Sequence, residues 1–261
     1  MLALIAGQGA LPRAVAEAST ERPLICALEP HAPEGLTVDR SFRVERLGGF
    51  LHWLRRKGVR RICMCGRVQR PELRLSRLDW RTALMLPAMR RALKRGDDGA
   101  LRIVISLLEE QGFEIVGAHE AAPSLLPPEG VPTRAQPDEA ARAAALLGDR
   151  VSAEQGARDF GQACVIRDTE LLAREDDATG TDAMIDALTG AEGGVLYKAE
   201  KPGQDTRVDL PVIGPRTARG AIRAGLAGIV VSAGGVMVLD RGEVLSLLDE
   251  AGLFLWVRER P

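Results

Sequence analysis

Short apolar runs alternate with helical stretches from the first residues onward, and this alternation constrains the chain more than any other feature. Leu2–Ala6 reads as a buried strand. Gly7-Gln8-Gly9-Ala10-Leu11-Pro12 follows, then a helix over 13–18, with Pro12 where a first-turn proline is favoured. Further strands are expected at 24–28, 42–46, 61–65 and 113–116, with helices at 50–57, 80–94 and 99–111. Strand, helix, strand in repetition gives a parallel sheet with crossover helices. Between 121 and 137 fall Pro123, Pro127, Pro128, Pro132 and Pro137, a composition shift that marks a hinge. A second set of elements comes after it. These are an alanine-rich helix over 138–147 closed by Gly148, a hairpin at 162–166 and 171–173, a helix at 183–188 and a strand at 195–199. A helix (218–224), strands (229–231, 236–239), a helix (243–250) and a strand (253–257) complete the chain. The expected organisation is an α/β domain at 1–120, a proline-rich hinge at 121–137 and a second α/β domain at 138–261.

Composition excludes several classes of function. The formal net charge of −1 supplies no global field toward nucleic acid or an anionic membrane. Aromatic residues are 3% of the chain, too few for base-stacking platforms, so no nucleic-acid partner is expected. The four cysteines lie mostly in apolar strand-like runs, and the three histidines are scattered, so reduced core thiols in a cytosolic protein fit better than a metal site. No apolar run reaches membrane-spanning length, and the amino terminus lacks the basic region of a signal peptide.

The densest chemistry lies between Lys198 and Gly214 (KAEKPGQDTRVDLPVIG). Pro202 and Pro211 bracket Gln204, Asp205, Arg207 and Asp209, which argues for a shaped loop rather than a regular helix or central strand. On an extended chain Asp205, Arg207 and Asp209 point the same way. Carboxylates flanking a guanidinium, with Lys198 and Lys201 upstream, suit Mg²⁺ bound beside phosphate oxygens, and a solvated surface loop is the plain alternative.

Other motifs leave two readings each. Gly7-x-Gly9 after the first strand fits phosphate contact or a simple tight turn, and Pro12 stands where a dinucleotide fingerprint has its third glycine. Lys94-x-Gly96-Asp97-Asp98 is either a helix cap or a cation–carboxylate cluster. His119 follows a strand, where α/β crevices open or where a histidine is merely packed. Thr181 caps a helix while Asp182 caps it or faces a metal. Arg55, Arg56, Lys57, Arg60 and Arg61 form one basic run. The first fits a helix end complementing its dipole or a docking surface for anionic headgroups or a nucleotide, and Arg67, Arg70, Arg74, Arg77 and Arg81 form a second, regularly spaced run that reads as one cationic face.

With GQGALP, Gly66–Pro71 (GRVQRP), Gly96–Asp98, Phe113–His119 (FEIVGAH), DFGQ at 159–162, Gly180–Met184 (GTDAM), the 198–214 loop and Ala224–Ile229 (AGLAGI), the chain resembles the UDP-2,3-diacylglucosamine diphosphatases of lipid A biosynthesis. The resemblance is to the two-domain type unrelated to calcineurin-like phosphoesterases. Gln8, Arg67 and Thr179 depart from that pattern. The resemblance implies a Rossmann-like amino-terminal domain, a catalytic carboxyl-terminal α/β domain and a ligand cleft between them. It implies Mg²⁺-dependent attack of water on the α-phosphorus, releasing UMP and 2,3-diacylglucosamine 1-phosphate. Asp209, Arg207 and Lys198 would be catalytic, with Asp209, Asp182 and Asp205 as metal candidates. Gly7, Gly9, Lys94, Asp98, His119, Thr181, Lys201 and Gln204 would bind substrate. A cytoplasmic protein peripheral to the inner membrane is the implied setting, and the number of subunits stays open, with a homodimer as one option. A non-catalytic nucleotide-binding module is the alternative.

Overall fold

The computed structural model describes residues 1–69, 73–93, 97–158, 160–176, 180–201, 205–207 and 209–260, with the side chains at 88, 92, 93 and 97–100 outside that description. The chain divides into two compact units, Met1–Pro123 with Asp205–Asp209, and Ser124–Gln204 with Leu210–Pro261.

The first unit runs β1 (Leu2–Ala6), α1 (Leu11–Ala18), β2 (Leu24–Leu28), β3 (Arg40–Phe42), α2 (Leu47–Arg56), β4 (Arg61–Cys65), α3 (Trp80–Leu93), α4 (Asp97–Glu110), β5 (Glu114–Ile115) and α5 (Ala118–Ala121). All five strands are parallel, in the order β3-β2-β1-β4-β5. This is a Rossmann-like order, and the chain reverses its direction of travel across the sheet between β1 and β4. Phe42, Phe50, Leu51, Leu54, Ile62 and Leu108 fill a core on one sheet face. The strand expected at 42–46 ends at Phe42, because Val44–Arg46 turns into a 3₁₀ segment leading into α2. The α4 helix begins at Asp97, two residues earlier than expected.

The second unit contains α6 (Glu139–Ala157), β6 (Ala163–Arg167), β7 (Glu170–Arg174), α7 (Gly180–Asp186), β8 (Val195–Lys198), β9 (Val212–Ile213), α8 (Pro215–Arg223), β10 (Gly228–Ser232), β11 (Met237–Val238), α9 (Arg241–Ala251) and β12 (Phe254–Arg258). Its main sheet has the order β12-β10-β8-β6-β7, the first three strands parallel and β6 antiparallel to both neighbours. Successive strand residues face opposite sides. Val165, Leu196, Ile229, Val231, Leu255 and Val257 pack with α7, α8 and α9. Cys164, Ile166, Tyr197, Val230 and Phe254 pack beneath Ala141, Ala144 and Ala145 of α6.

Gly148 does not end α6. A side-chain carbon there would come within 2.3 Å of the Tyr197 ring, so glycine is needed for helix and strand to approach, and the helix continues to Ala157. Tyr197 Oη then donates to Asp149 at 2.6 Å, and Arg258 donates to both oxygens of the same carboxylate at 2.8 and 2.9 Å.

The proline-rich stretch expected as a hinge is divided between the units. From Ser124 onward it belongs to the second unit, where Gly130 pairs with Val257 and the Thr133 hydroxyl accepts the Leu255 N–H at 2.9 Å. All four cysteines are buried and free, and burial pushes the Cys26 and Cys164 thiols up to about 12, so neither is a ready thiolate nucleophile.

Candidate active site

In the first unit, the turn after β1 crosses the turn after β4. Gly7 N–H donates to Cys65 O at 2.8 Å, and Gln8 and Arg67 exchange backbone hydrogen bonds at 2.9 and 2.8 Å. A side chain at Gly7 would meet the Arg67 carbonyl at 2.6 Å, so this glycine makes room for protein backbone. Gly9 has φ +98°, a conformation that favours glycine, and nothing crowds it. The paired turns sit at the carboxyl ends of β1 and β4, the switch point where open α/β sheets bind ligands, with Gln8 and Arg67 exposed there.

His119 and Arg207 meet in the same unit. An added carbon at Gly117 would lie 2.7 Å from His119 Nδ1 and 3.2 Å from Arg207 Cα, so the glycine is the space these two residues use. The Glu120 carboxylate accepts the Gly117 N–H at 2.6 Å and holds the turn. His119 Nδ1 is buried without a hydrogen-bond partner among the described residues. Arg207 forms a bidentate pair with Asp205 (2.9 and 2.7 Å) and donates to Glu109 of α4 at 2.7 Å. The Asp205 carboxylate also accepts the Arg207 N–H, which closes the turn onto itself. The hydrogen-bonded Arg207 side chain holds the Asp205 carboxyl below its usual range. Asp209 continues this turn, its N–H donating to Asp205 O at 3.3 Å.

The second unit holds a buried polar chain. Lys198, at the end of β8, is 6% exposed and donates from Nζ to Thr181 Oγ1 at 2.6 Å. Thr181 donates to Glu175 Oε1 at 2.9 Å, and the other oxygen of Glu175 accepts the Gln162 N–H at 2.9 Å. A buried ammonium is retained only where such partners satisfy it. Asp182 Oδ1 accepts the Thr217 hydroxyl at 2.8 Å, and its other oxygen lies 3.3 Å from Arg216 Nε. Glu200 accepts from the Ser232 hydroxyl, and Lys201 is half-buried beside it.

The 198–214 loop is therefore shared out. Lys198 and Lys201 lie in the second unit and Asp205, Arg207 and Asp209 in the first. Gln204 and Lys94 lie outside the described residues, as does the Asp98 side chain, although Asp98 is in the first turn of α4. Among the described residues no group of three or more His, Cys, Asp or Glu side chains is arranged to hold a metal ion. A cavity of about 900 Å³ lies elsewhere in the first unit, lined by Arg40, Arg43, Arg46 and Arg77 among others and by none of the expected site residues.

Comparison with known families decides the membership of this chain. The LpxI N-terminal domain model matches residues 1–125 and the LpxI C-terminal domain model residues 128–256. The chain belongs to the LpxI family. The UDP-2,3-diacylglucosamine pyrophosphatase LpxI of Caulobacter vibrioides is 39% identical over 280 aligned positions, covering 100% of this chain and 99% of that relative.

Within this LpxI-family chain, sequence reasoning overlooked Glu175 and Thr217. Glu175 stands in an Arg-Glu-Asp-Asp run that reads as solvated, yet it is only 9% exposed. The one local signal was Gly161, whose φ of +60° brings the chain against the Glu175 carbonyl.

Proposed function

We propose that this chain hydrolyses the diphosphate bond of UDP-2,3-diacylglucosamine, giving UMP and 2,3-diacylglucosamine 1-phosphate, a step of lipid A synthesis. The end-to-end match to the Caulobacter pyrophosphatase carries this reading. The chain's own side chains support it, since they offer guanidinium, ammonium and carboxylate groups and no activated thiol.

Water is the nucleophile. Its oxygen bonds to phosphorus, the anhydride P–O bond breaks, and the leaving phosphate oxygen takes up the charge. We assign Asp209 to orienting the attacking water and receiving its proton. Lys198, Lys201 and Arg207 neutralise charge developing on the diphosphate, the largest contribution available in phosphoryl transfer. For Arg207 this requires a phosphate oxygen to replace Glu109, its more exposed partner. Thr181 positions the Lys198 ammonium, and the turns at Gly7 and Gly9, with Lys94, Asp98, His119 and Gln204, contact substrate.

Mg²⁺ fits a set of this kind in one way. It is commonly held by one or two carboxylates together with substrate phosphates and water, without a full protein cage. Asp209 is the ligand we assign, with Asp205 and Asp182 as helpers that would first exchange their arginine partners. Bound there, the ion would neutralise phosphate oxygens and acidify a water molecule.

Incubation with UDP-2,3-diacylglucosamine and Mg²⁺ should release UMP, and a chelator should stop it. Binding of the substrate without turnover would instead identify a nucleotide-binding module. Hydrolysis in ¹⁸O-water reads the phosphorus attacked: label in UMP marks the α-phosphorus, and label in the sugar phosphate marks the β-phosphorus.

No helix among the described residues is long and apolar enough to cross a membrane. With a diacylated substrate, we place the chain at the cytoplasmic face of the inner membrane as a peripheral protein. A homodimer is the assembly we assign to it, and sedimentation equilibrium is the check.

A further inference from the structure

Three of the most exposed large apolar side chains among the described residues fall within ten positions of each other. Leu75 is 52% exposed, Trp80 69% and Leu84 75%. Trp80 and Leu84 are four residues apart on α3 and so share one helix face. A groove of about 490 Å³ opens beside them, with Met85 and Leu107 among its apolar lining and Arg55, Arg81 and Arg91 among its charged lining.

The surroundings are cationic. Arg74, Arg77 and Arg91 are exposed, and the Arg81 guanidinium lies 4.8 Å from the Trp80 ring. The nearest carboxylate in sequence, Asp79, is turned inward, where it accepts the N–H groups of Gly49 (3.2 Å) and Thr82 (2.6 Å). Glu110 is the acidic member of the groove. Neighbouring His52 has its pKa lowered, first by Arg81, then by burial, Arg56 and Arg55, which marks a local positive field. The chain as a whole carries −1, so this field belongs to the patch. Of the second basic run in the sequence, Arg81 lines this groove, and the exposed Arg74 and Arg77 precede Trp80 in the chain, with Arg77 lining the cavity of about 900 Å³. Arg67 is bonded to Gln8 instead, and Arg70 is outside the described residues.

We propose that the helix face of Trp80 and Leu84, extended by the exposed Leu75 just before it in the chain, docks on an anionic phospholipid bilayer, with Arg81 and Arg91 of the groove and the exposed Arg74 and Arg77 at the phosphate level. Protruding apolar tips ringed by arginines have the layout of an interfacial helix, whose aromatic and leucine side chains enter the acyl boundary while its cations stay at the headgroups. An acidic protein surface would meet the charge but leave the most exposed apolar atoms without an apolar layer to enter. The inference rests on the peripheral setting proposed above and names the surface responsible.

The test uses the full chain and vesicles of phosphatidylcholine with about one-third phosphatidylglycerol, a composition that supplies the anionic surface. Cosedimentation should be strong at low salt and at least about tenfold weaker on pure phosphatidylcholine or at about 0.5 M salt. Trp80→Ser with Leu84→Ser, and separately Arg77→Glu with Arg91→Glu, should each weaken vesicle binding about tenfold with melting temperature unchanged. The charge reversals touch only exposed side chains, so they remain informative if the apolar pair disturbs folding. Both variants should release UMP from detergent-dispersed substrate at the wild-type rate and lag only on vesicle-borne substrate. Indifference to anionic vesicles, or variants that bind like wild type, overturns the proposal. So does wild-type self-association that Trp80→Ser with Leu84→Ser abolishes, because the face would then meet a second copy. Normal UMP release with no vesicle binding rejects the docking surface alone, whereas vesicle binding with no UMP release rejects the hydrolase reading alone.

Discussion

Lys198 and Arg207 come from one short stretch of sequence but are held in opposite ways. Lys198 is buried, and its ammonium is fixed by the hydroxyl of Thr181, which is fixed in turn by the Glu175 carboxylate. Arg207 has a side chain 35% exposed and is saturated by two carboxylates, Asp205 and Glu109. A buried charge held by a hydroxyl that is itself anchored to a carboxylate is already oriented for an incoming anion, and the low local dielectric strengthens what it does. A surface guanidinium between two carboxylates has to release one before it can bind phosphate, and solvent screens the gain. The same kinds of residue therefore yield a rigid centre in one unit and an exchangeable one in the other.

The largest effect should follow Lys198→Met. It removes the buried cation at the end of the Thr181–Glu175 chain, and UMP release should fall about 10²–10³-fold, the scale of losing one preorganised charge contact. Stability should fall by about 3 kcal/mol, because a buried polar chain is left without its terminal donor. Thermal melting beside steady-state rates separates the two. Arg207→Ala should cost less, about 10–10²-fold in kcat/KM, with little change in melting temperature. Equal losses from both substitutions would break the contrast between the two centres.

Much of the fold was legible because period-2 apolar runs, glycine stops and proline starts all pointed the same way. β1, β4 and the β6–β7 hairpin lie within a residue of expectation. The failures had local causes. Gly148 looked like a helix stop, and only the Tyr197 ring, distant in sequence, explains it. Glu175 drew no reading from the sequence, because burial of a charge depends on partners that spacing does not reveal. The assignment of 205–209 to the first unit depends on Glu109 and Gly117, which are remote from it in sequence. The chemistry-bearing residue types were readable, and the way they are shared between the units was not.

Acid should act through the exposed centre first. Arg207 keeps the Asp205 carboxyl below its usual range, so the pair contributes stability that is fully present above the unfolded-state pKa. That contribution is lost as pH falls through the lowered folded value. Asp205→Asn should flatten the acid limb of melting temperature against pH by slightly lowering the neutral plateau while leaving the most acidic values unchanged, and an unaltered acid limb would show that the pair contributes nothing there. The smallest effect belongs to Glu109→Gln. Freeing one side of Arg207 should lower KM about twofold to fivefold with kcat nearly constant, the size expected for a partly screened contact.

UMP release by the purified wild-type chain, set beside a folded Asp209→Ala variant on the same substrate with Mg²⁺, tests the central claim most directly. The wild type should release UMP and 2,3-diacylglucosamine 1-phosphate in equal amounts. Asp209→Ala, with an unchanged circular dichroism spectrum, should release neither above background. Near-wild-type release from that variant would contradict the assignment of Asp209, and no release from the wild type would contradict the hydrolase reading itself.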